Sequence, residues 1–189
     1  MQQRLGLRHK MRMSMRSARK QLNKSERVEA EKALVLALKE ISCYKVANNI
    51  ALYYPLTEEL STHMLMDDIW QQEKKLWLPC CNGLGHIENF MRHTRSTQLL
   101  PGYQGIMQPA SSQDTSLHTN LAEIDLIIVP CVALDVQGFR LGFGNGGYDR
   151  LLALKQENTT VVYVAYQVNQ VADTYPAAHD QPSSYQIWV

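Results

Sequence analysis

Ile124-Asp125-Leu126-Ile127-Ile128-Val129-Pro130 is the most apolar strand-like run in the chain. A strand with one wet face alternates apolar and polar residues, whereas this one is apolar almost throughout. That pattern belongs to strands covered on both faces, as in parallel α/β sheets. Pro130 ends the run, because proline cannot donate to a continuing ladder. Working outward, further short strands are expected at residues 46–54, 74–79, 87–92 and 160–166, with 87–92 a candidate for antiparallel pairing. The first of these is interrupted by Asn48-Asn49 and stopped by Pro55.

Helical segments separate the strands. Between residues 8 and 22, Leu7, Met11, Met15, Ala18 and Leu22 recur every three or four positions on one side. Arg8, Arg12, Arg16 and Arg19 share a different face. Asn23 reads as an N-cap with Glu26 as its capping-box partner. It opens a second helix to about residue 40, burying Leu34, Leu38 and Ile41. Residues 62–72 form another, with Leu65, Ile69 and Trp70 inward. The polar stretch 111–120 reads as loop. Strands alternating with helices give an α/β fold: a three-layer, Rossmann-like, mostly parallel sheet with helices on both faces. One domain over residues 1–189 is expected. Ligands of such sheets bind beyond the carboxyl ends of the strands.

Composition narrows the classes. At 45% hydrophobic and 20% charged, the 189 residues are ordinary for a soluble globular protein. The longest nearly apolar run, 126–134, is too short to span a bilayer. No apolar core follows the N-terminal charges as a secretory signal requires. A cytoplasmic protein without a membrane partner is expected. Cys43, Cys80, Cys81 and Cys131 are read as reduced thiols, since the adjacent pair is not a zinc spacing. A catalytic cysteine is the alternative. The net charge of +1 is uneven: residues 1–24 hold eight Lys or Arg and no acid, which leaves the remainder at −7. Such an arm serves as a transit peptide, a nucleic-acid arm or a helix that reaches an anionic ligand. It holds no Phe, Tyr or Trp to stack on bases, so nucleic acid is not the expected partner.

The richest segment follows the central strand: Gly138-Phe-Arg-Leu-Gly-Phe-Gly-Asn-Gly-Gly-Tyr-Asp-Arg-Leu-Leu152. Gly142, Gly144, Gly146 and Gly147 allow a backbone with φ > 0 and close approach to a ligand. Such a loop turns N–H groups inward as a nest for phosphate oxygens. Arg140 and Arg150 flank it, and Asp149 is a candidate metal ligand. A helix starting near Tyr148 would bury Leu151, Leu152 and Leu154 and add its dipole to an anion site. Gly142, Gly144 and Gly147 match G-x-G-x-x-G, but no strand immediately precedes them, and Gln167 stands where the dinucleotide fingerprint has an acid. No Gly-Lys-Ser or Gly-Lys-Thr follows, so a Walker A loop is excluded as well.

Arg140-Leu-Gly-x-Gly-x-Gly followed by Tyr148-Asp149-Arg150 resembles the signature of the 5-formyltetrahydrofolate cyclo-ligases, also called methenyltetrahydrofolate synthetases. The resemblance extends over nearly the whole chain. Arg8 and Arg12 match a Lys-x-x-x-Arg pattern on the family's first helix, with arginine for the lysine. Glu59 takes the position of a substrate-binding glutamate, although Glu58 replaces a glycine and Ser61 an aspartate. Gly105-Ile-Met-Gln-Pro109 resembles Gly-Ile-x-Glu-Pro, with Gln108 for the glutamate. His179-Asp180 matches a late His-Asp pair.

The resemblance implies ATP- and Mg²⁺-dependent conversion of 5-formyltetrahydrofolate to 5,10-methenyltetrahydrofolate, with ADP and phosphate released. By it, ATP is bound by Arg8, Arg12, Arg140, Gly142, Gly144, Asn145, Gly146, Gly147 and Tyr148. The reduced folate is bound by Tyr54, Glu59 and Tyr148, and Mg²⁺ by Asp149 and Asp180. No residue is expected to act as nucleophile, acid or base; positioning and electrostatics suffice. The partners implied are ATP and the folate, and a monomer is expected. One departure matters: Gly147 stands where the family has a first aromatic before Tyr148-Asp149. Tyr54 or Tyr53 are candidates to compensate. The alternative is a nucleotide-binding protein on this scaffold that is non-catalytic or takes another substrate.

Overall fold

The computed structural model describes residues 2–110, 117–119, 121–178 and 180–189. Helix α1 (Gln2–Gln21) precedes α2 (Lys24–Glu40), α3 (Ser42–Val46) and strand β1 (Asn49–Ala51). Helix α4 (His63–Gln71) leads to β2 (Lys75–Cys81) and β3 (Ile87–Arg92). Short strands β4 (Leu99–Pro101), β5 (Met107–Pro109) and β6 (His118–Thr119) follow. Then come β7 (Leu126–Pro130), β8 (Ala133–Asp135), β9 (Arg140–Leu141), α5 (Gly147–Leu152), β10 (Thr160–Ala165), β11 (Gln170–Val171) and β12 (Tyr185–Trp188).

Among the described residues the main sheet runs β12-β10-β7-β1-β2-β3-β6. The five strands from β12 to β2 pair in parallel, and β3 and β6 add an antiparallel edge. β7, the apolar run read from the sequence, lies between β1 and β10, and Leu126, Ile127, Ile128 and Val129 are buried. Its even residues face one core with Leu34 and Leu38 of α2 and Leu65 and Ile69 of α4. Ile127 and Val129 face the other, with Leu151 and Leu152 of α5 and Leu134 of β8. The fold is therefore α/β with both sheet faces covered. The second face is covered by one short helix and the small sheet β11-β8-β9 rather than by a full helical layer.

Connectivity places the functional crevice. β1 leaves through α4 on the first face, and β7 leaves through α5 on the second. Neighbouring parallel strands whose crossovers diverge to opposite faces open a crevice at their carboxyl ends.

Local readings and structure agree where the signal is chemical. Asn23 Oδ1 accepts the Glu26 N–H at 3.0 Å, and Glu26 Oε2 accepts the Asn23 N–H at 2.7 Å, forming the capping box. Three expectations are corrected. Residues 42–46 are helical, and β1 begins only at Asn49, where the Asp125 carboxylate takes the Asn48 and Asn49 N–H groups at 2.9 and 2.8 Å. Leu154 lies beyond the end of α5 and is 73% exposed, so it is not on the buried face. α1 turns its arginines toward the protein: Arg19 is its one buried residue, while Leu7 is exposed. Of the polar stretch 111–120, residues 111–116 and 120 lie outside the described residues, and His118–Thr119 pair as an edge strand. No described helix is long and apolar enough to cross a membrane.

Replacing Asn23 by alanine leaves the Glu26 N–H uncapped at the joint between α1 and α2. The expected loss is about 1 kcal/mol, seen as a lower urea midpoint with an unchanged slope; an unaltered midpoint would show that the cap is redundant.

Candidate active site

A cavity of about 440 Å³ opens at the carboxyl ends of β1, β2 and β7. Its size is ordinary for a small-molecule site. Tyr54 and Glu59 reach it from the segment after β1, Pro79 and Cys81 from β2, and Pro130 from the end of β7. Arg140, Gly142, Gly144, Asn145, Gly146, Gly147, Tyr148 and Asp149 form another wall. Arg8 and Arg12 enter from α1, and Asp180 from the segment before β12. Every site residue read from the sequence thus lines one cavity, although those residues span almost the full chain. His179 lies outside the described residues.

The glycine loop is shaped around two guanidinium groups. Arg12 Nε donates to the Gly142 carbonyl at 2.8 Å. A Cβ at Gly142 would stand 2.5 Å from Arg140 Nη1, so any larger residue would displace that arginine. Arg140 is buried and ion-paired with Asp149, and its guanidinium lies 5.7 Å from the Tyr148 ring centroid. Arg8 Nη1 pairs with Asp180 Oδ2 at 2.5 Å and donates to the Tyr175 carbonyl at 3.1 Å. Burial and neighbouring Arg8 both pull the Arg12 guanidinium below its ordinary value, against Asp180 and Asp149. Like charges gathered in a cleft with only partial compensation favour an anionic ligand. α5 has six residues, so the arginines, not its dipole, dominate the positive field.

Glu59 sits at the other end. Its Oε2 accepts the Leu56 N–H at 2.9 Å, and its backbone carbonyl accepts the Tyr166 hydroxyl at 3.0 Å. Only 6% of the residue is exposed. Burial raises the carboxyl pKa to about 7, against the Leu56 hydrogen bond and the Arg19 charge.

The chain matches the model of the 5-formyltetrahydrofolate cyclo-ligase family over residues 4–184. The chain belongs to that family. It is 32% identical over 174 residues to the 5-formyltetrahydrofolate cyclo-ligase of Haemophilus influenzae, covering 91% of each chain. It is 31% identical to the solved 5,10-methenyltetrahydrofolate synthetase of Aquifex aeolicus, with a TM-score of 0.81 over 96% of this chain and 89% of that one. The synthetase of Mycoplasma pneumoniae shares the fold at 17% identity, with a TM-score of 0.73 over 95% and 97% of the two chains.

Against this family pattern, the glycine at 147 has a local cause. A Cβ there would meet the Gly85 carbonyl oxygen at 3.0 Å. Gly85, in the turn between β2 and β3, is itself covered: a Cβ on it would stand 2.5 Å from the Tyr103 ring. Backbone therefore occupies the space a side chain at 147 would need, and Tyr103 supplies a ring on that wall. Neither Gly85 nor Tyr103 was legible as a site residue, since their contact joins three distant segments. Gln108, in place of a glutamate, holds two strands together, because its Oε1 accepts the Cys81 N–H at 3.0 Å. The cysteines are free, and burial pushes Cys80 up to about 11 and Cys131 up to about 12. Thiols held protonated are poor nucleophiles, which removes the case for a catalytic cysteine.

An acid whose folded pKa lies above its unfolded value favours the fold when protonated, and that contribution is lost as pH rises through the folded pKa. Glu59→Gln, still able to accept the Leu56 N–H, should therefore stabilise the protein at about pH 8.5 by up to about 3 kcal/mol and hardly at all at about pH 4. Thermal melts at the two pH values that shift equally would refute this. Gly147→Tyr should lower stability by about 1–3 kcal/mol through overpacking, rather than strengthen ligand binding. A variant melting with the wild type would show that the turn at Gly85 yields without cost.

Proposed function

We infer that the chain catalyses the ATP-dependent closure of 5-formyltetrahydrofolate to 5,10-methenyltetrahydrofolate, acting as one folded unit. The supporting observation is that the cavity joins a guanidinium-rich, glycine-walled end to an end bearing a buried carboxylate and aromatic rings. The first end suits a triphosphate. The second suits a flat heterocycle with N–H donors.

An amide oxygen is a poor leaving group. In this reading the formyl oxygen takes the γ-phosphoryl group and ADP departs. The neighbouring amine nitrogen then attacks the formyl carbon within the same molecule, and phosphate leaves with the former formyl oxygen. Holding the two nitrogens in one ligand removes most of the entropic barrier. What remains for the protein is to align two substrates and balance charge that spreads over phosphoryl oxygens.

Arg8, Arg12 and Arg140 receive the phosphates. Arg8 and Arg140 exchange their present partners, Asp180 and Asp149, for phosphate oxygens. That exchange frees two carboxylates within the same cavity, a hard-oxygen set that fits Mg²⁺ held by one or two acids plus substrate phosphates. Among the described residues no cluster of three His, Cys, Asp or Glu is gathered, so the phosphates would complete such a site. Mg²⁺ bound there would neutralise charge developing on the transferred phosphoryl group. Glu59 accepts N–H donors from the pterin edge, and Tyr54, Tyr148 and Tyr103 enclose its ring.

The reading is tested by growth of the methenyl product's absorbance on mixing protein, 5-formyltetrahydrofolate, ATP and Mg²⁺. Absence of ATP-dependent product would overturn it. Asp149→Asn should abolish turnover and weaken Mg²⁺-dependent ATP binding while circular dichroism stays unchanged. Wild-type rates at limiting Mg²⁺ would remove Asp149 from the site.

A further inference from the structure

Arg19 is the most buried charged side chain among the described residues apart from Asp135, 2% exposed, and lies outside the residues that line the cavity. Its Nε donates to Asn169 Oδ1 at 2.8 Å and its Nη2 to the Cys131 carbonyl just after β7. Among the described residues Nη1 has no hydrogen-bond partner, and no carboxylate is ion-paired with this guanidinium. A buried guanidinium without a direct carboxylate is costly. A merely structural anchor at this position would not need the charge. Burial pulls Arg19 below the ordinary arginine value, and the largest opposing influence is Glu59.

A chain of hydrogen bonds ties the two residues together. The Arg19 carbonyl accepts Arg27 Nη2 at 2.5 Å, Arg27 Nη1 donates to the Tyr166 hydroxyl at 3.4 Å, and that hydroxyl donates to the Glu59 carbonyl at 3.0 Å. The other groups that bear on Glu59 do not replace Arg19. Glu58 opposes ionisation and is paired with Arg16 at 2.6 Å. Tyr53, Tyr148 and Cys131 are all held neutral by burial first of all. Arg16 is nearly half exposed and lowers the Glu59 value less than Arg19 does.

We propose that Arg19 is a positioning residue for the folate end of the cavity, supplying the buried positive charge that keeps Glu59 available as a carboxylate to accept the substrate's N–H donors. This rests on the function proposed above for Glu59, but its first readout does not. With glutamate labelled at the side-chain carboxyl carbon, NMR titration follows Glu59 in the ligand-free protein, its signal assigned by loss in Glu59→Gln. Arg19→Met should move the Glu59 midpoint upward by at least about half a pH unit, and Arg19→Lys, which keeps the charge, should restore it. If the methionine variant does not fold, Arg19→Gln, neutral but able to donate to Asn169, is read in the same way.

Calorimetric binding of 5-formyltetrahydrofolate is the second readout. A rise of one unit from about 7 cuts the ionised fraction at neutral pH about fivefold, so affinity should fall by about three- to fivefold at pH 7 and recover as pH rises. An unmoved Glu59 midpoint overturns the proposal. A raised midpoint with unchanged folate affinity upholds the electrostatic link and refutes the role assigned to Glu59 in substrate binding.

Discussion

Helix α1 is held to the rest of the protein by guanidinium groups more than by apolar side chains, and the cavity exists because of that attachment. Arg4 and Arg8 reach the carbonyls of Pro176 and Tyr175, Arg8 also Asp180, Arg12 the Gly142 carbonyl, Arg16 the Glu58 carboxylate, and Arg19 Cys131 and Asn169. One helix thus bridges the segments that follow β1, β7, β9 and β11. Arginine suits such bridging, because its planar fork holds several acceptors at fixed angles. The same donors have carbonyl and carboxylate partners in the free protein and can take phosphate oxygens instead. An apolar interface would have joined the segments more strongly but left no charge facing the ligand.

The cavity is charge-balanced before any ligand enters. Asp180 answers Arg8 and Asp149 answers Arg140. Two cationic groups held apart by their own counter-ions do not drive each other out of the cleft, so the phosphate-binding geometry is organised in advance. The exchange of partners costs less than desolvating free arginines would, since the guanidinium groups are already removed from bulk water. At the opposite end the balance is less complete. Glu59 is buried with one backbone donor and a charge that acts from a distance, an arrangement that sacrifices stability to keep an acceptor ready.

Signals carried by adjacent residues were legible in the sequence. The continuous apolar run at β7 implied a doubly covered parallel sheet, Asn23 with Glu26 gave the capping box, and the glycine loop placed Arg140 beside Asp149. The two-residue strands β6, β9 and β11 carry no periodicity, since a period of two needs more than two residues. α3 was hidden because Val46 is apolar yet 76% exposed, so hydrophobicity extended the strand reading where a helical turn stands. Arg19 looked like one more member of a basic stripe. Its distinction is burial, set by Cys131 and Asn169 from distant parts of the chain, which no local pattern encodes.

The departure at Gly147 is a case of one wall built by other means. The turn between β2 and β3 comes so close that its Gly85 carbonyl fills the space beside residue 147, and Tyr103 lies over Gly85. Both contacts require glycine on the covered side, so the pair Gly85 and Gly147 must change together or not at all. The aromatic surface of this wall therefore belongs to the turn between β4 and β5 rather than to α5. That turn is fixed in place by Gln108, whose amide packs on Gly102 and accepts the Cys81 N–H of β2. A glutamate there could accept the same N–H, but its charge would sit beside Cys81 in a half-buried setting. The neutral amide keeps the hydrogen bond without that desolvation cost. Gln108, Gly85 and Gly147 are thus parts of one solution, in which a flat ring is presented to the cavity by a hairpin anchored to the sheet.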